Sequence, residues 1–178
     1  MPVLLNRLVD EAASRDPGAP AIRCDGDTLT YEQLARRANG LARVLLETGL
    51  SRGDRVAVWL GKGLDVPVSF YGALAAGATL VPIDPKSPVD QAVRIMRATG
   101  ATHLISEPDR RAAVSRALAD CPDVAHVIGL AGDEATPVPC VTWETVLAQA
   151  SDRPPDVQVL DLDPAYILHT SGSTGLPK

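Results

Sequence analysis

Apolar positions along the chain follow two patterns that alternate. One is a stripe at three- and four-residue spacing. The other is a short run rich in Val and Ile, with Gly, Pro and Asp between segments. Leu4, Leu5, Leu8, Val9 and Ala12 form the first stripe and predict a helix over about 2–14. Asp16, Pro17, Gly18 and Pro20 break it. Ala21-Ile22-Arg23 and Thr28-Leu29 then predict a small hairpin around Asp25-Gly26-Asp27. The next helix carries a full start signal. Thr30 stands at the cap, Gln33 three residues on can reach back, and Leu29 and Leu34 occupy the two positions of a hydrophobic staple. Leu34, Ala38, Leu41 and Leu45 give it one buried face, and Gly49 ends it. The segment LTYEQL therefore has a structural explanation and no catalytic role.

From residue 55 the alternation is regular. A strand is predicted over 55–60 and a helix over 65–76, ended by Gly77. A strand follows over 79–83. A helix then starts at Ser87-Pro88-Val89-Asp90, with proline in the first helical position, and stops at Gly100. A strand over 102–105, a helix over 109–119, a strand over 124–128 and a short helix over 142–150 complete the series. A proline- and aspartate-rich loop, 151–164, leads to a last strand over 165–168. This order predicts an α/β fold: a mostly parallel sheet with flanking helices and right-handed crossovers. Ligands bind such sheets beyond the carboxyl ends of the strands, so the loop after 165–168 is the place to look for chemistry.

Composition narrows the function. The chain has 178 residues, 46% hydrophobic and 22% charged, which is one ordinary globular domain, or two small ones, needing no disulfide or structural metal. The net charge of −5 and the lack of a basic stripe argue against nucleic acid. Cys24, Cys121 and Cys140 are scattered, without zinc spacing, as in a reducing, cytoplasmic setting. The stretch 66–83 is free of charge and near the length of a membrane span. Pro67, Gly72, Gly77 and Pro82 interrupt it, so a buried helix, turn and strand explain it better. The amino terminus lacks a basic start followed by an apolar run, so it is not read as a signal peptide. The basic residues are nearly all arginine, which suits a GC-rich, bacterial genome.

The loop is HTSGSTGLPK, His169 to Lys178. Gly172 and Gly175 allow successive backbone N–H groups to face one concavity. Thr170, Ser171, Ser173 and Thr174 add hydroxyls, and Lys178 adds a point charge after a rigid proline. The set suits a polyphosphate. A solvated linker shares the Ser/Gly/Thr content, but needs neither the preceding apolar strand nor the Pro177-Lys178 ending. The pattern is not Walker A, since proline precedes the lysine, and not GxGxxG. Ala75, Ala76 and Gly77 are read as close helix–strand packing, and Asp84 and Asp90 as capping or solvated residues. Asp152, Asp156, Asp161 and Asp163 belong to a solvated linker, with no calcium-loop glycine. No metal ligand is assigned.

TSGSTGLPK resembles the phosphate-binding signature of the adenylate-forming superfamily: acyl-CoA synthetases, nonribosomal peptide synthetase adenylation domains and luciferases. LTYEQL (Leu29 to Leu34) and LAAGATLVPIDP (Leu74 to Pro85) resemble two earlier core blocks, in order. The resemblance covers nearly the whole chain. It implies that residues 1–178 are the front part of the large N-terminal, AMP-binding domain, with the rest of that domain and the C-terminal lid domain lying beyond. It also implies a two-step reaction. A small carboxylic acid is activated with ATP and Mg2+ to an acyl-adenylate, and the acyl group then passes to a thiol, of CoA or of phosphopantetheine. On this resemblance Thr170, Ser171, Gly172, Ser173, Thr174, Gly175 and Lys178 hold the β- and γ-phosphates. His169 stands where the family often has Tyr or Phe and receives no acid–base role.

The family's adenine segment, magnesium acid, ribose aspartate and catalytic lysine all lie past Lys178. No catalytic residue is therefore expected in 1–178, and the segment alone is expected to be inactive. Partners follow from the same resemblance: the acid substrate, the remainder of the polypeptide and, for some members, a carrier protein. An acyl-CoA ligase is the first reading. An amino-acid-activating domain that loads a carrier protein is the second, and Ile83-Asp84-Pro85 slightly suits it. A reading of another class is a non-catalytic α/β binding module with a vestigial phosphate loop.

Overall fold

The structure is a computed structural model and describes residues 4–132 and 136–169. A 3-10 turn at Leu5–Arg7 leads into α1 (Leu8–Arg15). The hairpin forms as expected. Strands β1 (Pro20–Cys24) and β2 (Asp27–Thr30) pair antiparallel, with Cys24 opposite Asp27. Asp25 and Gly26 turn the chain at φ 52° and 95°, the positive-φ pair that a two-residue hairpin requires. Helix α2 (Tyr31–Glu47) starts on the capping box: Gln33 N–H donates to Thr30 Oγ1 at 3.2 Å, and Thr30 N–H donates to Gln33 Oε1 at 3.0 Å. It closes at Gly49 with paired bonds, Gly49 N–H to Leu46 O and Leu50 N–H to Leu45 O, both 3.0 Å.

Five parallel strands follow: β3 (Arg55–Trp59), β4 (Thr79–Pro82), β5 (His103–Ser106), β6 (His126–Ile128) and β7 (Cys140–Val141). Their order in the sheet is β4-β3-β5-β6-β7. Helices α3 (Asp65–Ala75), α4 (Val89–Thr99) and α5 (Arg111–Leu118) make the crossovers, and α6 (Trp143–Ala148) follows β7. Side chains alternate between the two faces of the sheet. Val56 and Val58 of β3, Leu80 of β4 and Ile105 of β5 join one core with α2 and α3. Ala57, Trp59, Val81 and Leu104 join a second core with α4 and α5. Burial on both faces explains why these strands read as unbroken apolar runs. Helices α2 and α3 touch closely: a Cβ added at Gly72 would lie 2.8 Å from Leu41 Cδ2 and 2.9 Å from the Ala38 carbonyl.

The structure differs from the sequence pattern in five places. Helix α1 is shorter than 2–14, and of its apolar stripe only Val9 is buried; Leu5 and Leu8 are exposed. Ser87 does not cap α4. Its N–H closes a turn onto Asp84 O, Pro88 takes the cap position, and the helix begins at Val89. Strand β7 is two residues long, too short for period-two alternation to register. The segment 165–168 makes one parallel bridge, Tyr166 to Leu80, instead of a full strand, and Tyr166 and Leu168 stay largely exposed. The loop 151–164 is not a free linker. Asn39 Nδ2 donates to Ser151 O at 3.1 Å, Arg43 Nη2 donates to Arg153 O at 2.8 Å, and Arg36 pairs with Asp152 at 3.1 Å. Arg52 grips Asp163 through two bonds of 2.8 and 2.7 Å. The result is a strap across α2 that delivers the chain to the edge of β4.

Candidate functional site

The strap sets where the glycine-rich loop begins. Thr79 Oγ1 donates to Pro164 O at 3.1 Å. Leu80 N–H donates to Ala165 O at 3.0 Å, and Ile167 N–H donates to Leu80 O at 2.8 Å. The segment runs parallel to β4, so His169, half-buried and the last described residue, leads off toward the carboxyl ends of the sheet. That is the side on which α/β folds bind ligands. Thr170, Ser171, Gly172, Ser173, Thr174, Gly175 and Lys178 lie outside the described residues.

The described part of that edge is built by side chains to which the sequence pattern assigned no role. Glu107 follows β5 directly. Both of its carboxylate oxygens lie 3.1 Å from the Gly61 N–H that follows β3. Arg110 Nη2 donates to Glu107 Oε1 at 2.9 Å, and Arg110 Nη1 donates to Pro85 O, after β4, at 2.9 Å. The guanidinium also covers the Trp59 ring, 4.9 Å from its centroid. Ser106 Oγ donates to Trp59 O at 3.0 Å, tying β5 to β3 beneath the cluster. Burial pushes the Asp65 carboxyl, at the start of α3, above its ordinary range; Glu107 adds to the rise and Arg37 opposes it. The sole local signals for this cluster were a Glu at the end of an apolar strand and an Arg three positions on. The contact of Glu107 with Gly61 joins residues far apart in the sequence.

Other candidates have plain structural roles. Asp84 accepts the Lys86 N–H at 2.8 Å within its turn. Burial raises the Cys121 thiol pKa, and Cys24 donates to Asp25 at 3.3 Å. Among the described residues no group of three or more His, Cys, Asp or Glu gathers. No described helix is long and apolar enough to cross a membrane.

A family model described as "AMP-binding enzyme" matches residues 9–178. The chain belongs to the AMP-binding enzyme family. A curated relative, surfactin synthase subunit 3 of Bacillus subtilis strain 168, is 33% identical over 168 residues, which are 94% of this chain and 12% of that protein. The inhibitor-bound N-terminal domain of FACL13 from Mycobacterium tuberculosis superposes with a TM-score of 0.81 at 27% identity, over 97% of this chain and 42% of that one. The nonribosomal peptide synthetase FmoA3, bound to alpha-methyl-L-serine-AMP, superposes with a TM-score of 0.76 at 30% identity, over 99% of this chain and 17% of that one. This AMP-binding chain thus spans a minor part of the length of each relative. Its parallel sheet with flanking helices is the fold expected from the alternation of elements.

Proposed function

We propose that this chain serves in an enzyme that activates a carboxylic acid with ATP. The acid's carboxylate oxygen attacks the α-phosphorus, the bond between the α- and β-phosphates breaks, and pyrophosphate leaves with the electron pair. The acyl-adenylate then passes its acyl group to a thiol: sulfur attacks the acyl carbon, AMP departs and the thiol proton is released. The family match through residue 178, which takes in the whole loop sequence, carries this reading. Within it, the backbone N–H groups and hydroxyls of Thr170, Ser171, Gly172, Ser173, Thr174 and Gly175, with the charge of Lys178, orient the pyrophosphate group and offset the charge developing on it. Magnesium, when bound, would screen the same phosphates. The acceptor is CoA or a carrier-bound phosphopantetheine. The peptide synthetases among the relatives support the carrier, and the acyl-CoA branch of the family resemblance supports CoA.

The test is acid-dependent ATP–pyrophosphate exchange by the full-length protein against fatty, aryl and amino acids, followed by transfer to each thiol. Exchange with at least one acid is expected. Lys178→Ala is expected to lower it by roughly a hundredfold, the loss typical for one preorganised donor at a developing charge. A full-length protein that folds and exchanges with none of these acids would favour a binding module instead.

A further inference from the structure

The order β4-β3-β5 makes β3 the point where the sheet stops growing to one side and starts growing to the other. Loops leaving the carboxyl ends of β3 and β5 diverge there, α3 packing on one face of the sheet and α5 on the other. In open parallel sheets this is the usual ligand crevice. Here a side chain of the protein itself spans it. The Glu107 carboxylate sits on the Gly61 N–H, and a Cβ at Gly61 would stand 3.2 Å from Glu107 Oε2, so a residue without a side chain gives the carboxylate its seat. Arg110 neutralises that carboxylate and reaches on to the Pro85 carbonyl. One salt bridge therefore ties together the loops after three neighbouring strands, and the bridge of Tyr166 to Leu80 sets the root of the phosphate-loop sequence against the outer one of these, β4.

Resting on the adenylation reading above, we infer that Glu107 and Arg110 are positioning residues for that reaction. They seal the switch-point crevice and hold the rim after β3, β4 and β5 in one arrangement, against which the nucleotide and acid are aligned. Neither residue touches the reacting atoms; they act through the loops at Gly61 and Pro85. The geometry favours this over a purely stabilising pair. The guanidinium makes one bond to the carboxylate and spends its second on the backbone of a different loop, which fixes loop separation more than pair strength.

The experiment uses the full-length protein with Glu107→Gln, which keeps the shape and removes the charge, and Arg110→Lys, which keeps the charge and removes the planar fork. Pyrophosphate-exchange kcat and KM are measured with melting temperature and the titrated fraction of active molecules. Each variant is expected to raise the KM for ATP roughly tenfold, within the range for slight misalignment, with the active fraction unchanged. The double variant is expected to be no worse than the weaker single, because both act on one element. Unchanged KM in folded variants, a fall in active fraction alone, or failure of both variants to fold would overturn the inference. If the parent protein exchanges while the variants match it, only the positioning role falls. If the parent does not exchange, the activity reading falls and takes this role with it.

Discussion

Gly129 shows how far one backbone position can be constrained. It follows β6 at φ 96°, its N–H donates to Val141 O at 2.7 Å, and a Cβ there would collide with the Ser106 carbonyl and stand 2.6 Å from Trp143 Nε1. Gly129→Ala is expected to cost about 3 kcal/mol in denaturant unfolding, by overpacking and by a strained φ together. A loss below about 1 kcal/mol would show that the turn shifts to accept the methyl group. His103 makes a different demand. It is 2% exposed, with Thr48 Oγ1 3.2 Å from Nε2, Thr102 Oγ1 3.0 Å from Nδ1, and the His126 ring stacked at 5.4 Å. Burial pushes its pKa down and His126 adds to this, against the pull of Thr48 and Asp54. The unfolded chain therefore binds a proton at higher pH than the folded one. This residue's contribution is complete above the ordinary histidine value of about 6.5 and is lost as pH falls from there through the folded value. Melting temperature is expected to drop between pH 7 and 5, and His103→Gln is expected to flatten that slope. An unchanged slope would assign the dependence to other groups.

Among the elements, α2 was the most legible in advance, because its signals are local. The capping box, the staple of Leu29 and Leu34 and the stop at Gly49 each lie within a few residues of one another. Thr30→Ala is expected to cost about 1 kcal/mol, read from thermal or denaturant unfolding, by leaving the Gln33 N–H without its cap. The strap was the least legible. Its prolines and aspartates read as solvated, yet its partners Arg36, Asn39, Arg43 and Arg52 lie on or just after a helix more than a hundred residues earlier in the chain. Apart from the part-buried Asn39 bond, these bonds are exposed, so their worth is local order more than global stability. Arg52→Ala is expected to raise amide exchange at Leu160 and Ile167 while the sheet core keeps its protection. Uniform loss across β3 and β5 would contradict this.

For the molecule as a whole, the alternation of helices and apolar runs was enough to predict a parallel α/β sheet, because a strand buried on both faces and an amphipathic crossover helix have few other ways to pack. The glycine-rich loop was read as chemistry from its density of Ser, Thr, Gly and Lys, and its residues 170–178 are not among those described. Other features lay beyond any local pattern. The order β4-β3-β5-β6-β7, the strap's path to β4 and the meeting of Glu107 with Gly61 and Arg110 with Pro85 all depend on which strands become neighbours. Local spacing specifies a helix face or a turn because the interacting groups are within a few residues. Strand adjacency is a choice among long-range pairings, settled only when both faces of the sheet are covered together. In this protein, periodicity and local turn and cap signals account for the elements, and the packed sheet accounts for the rim built by the loops after β3, β4 and β5.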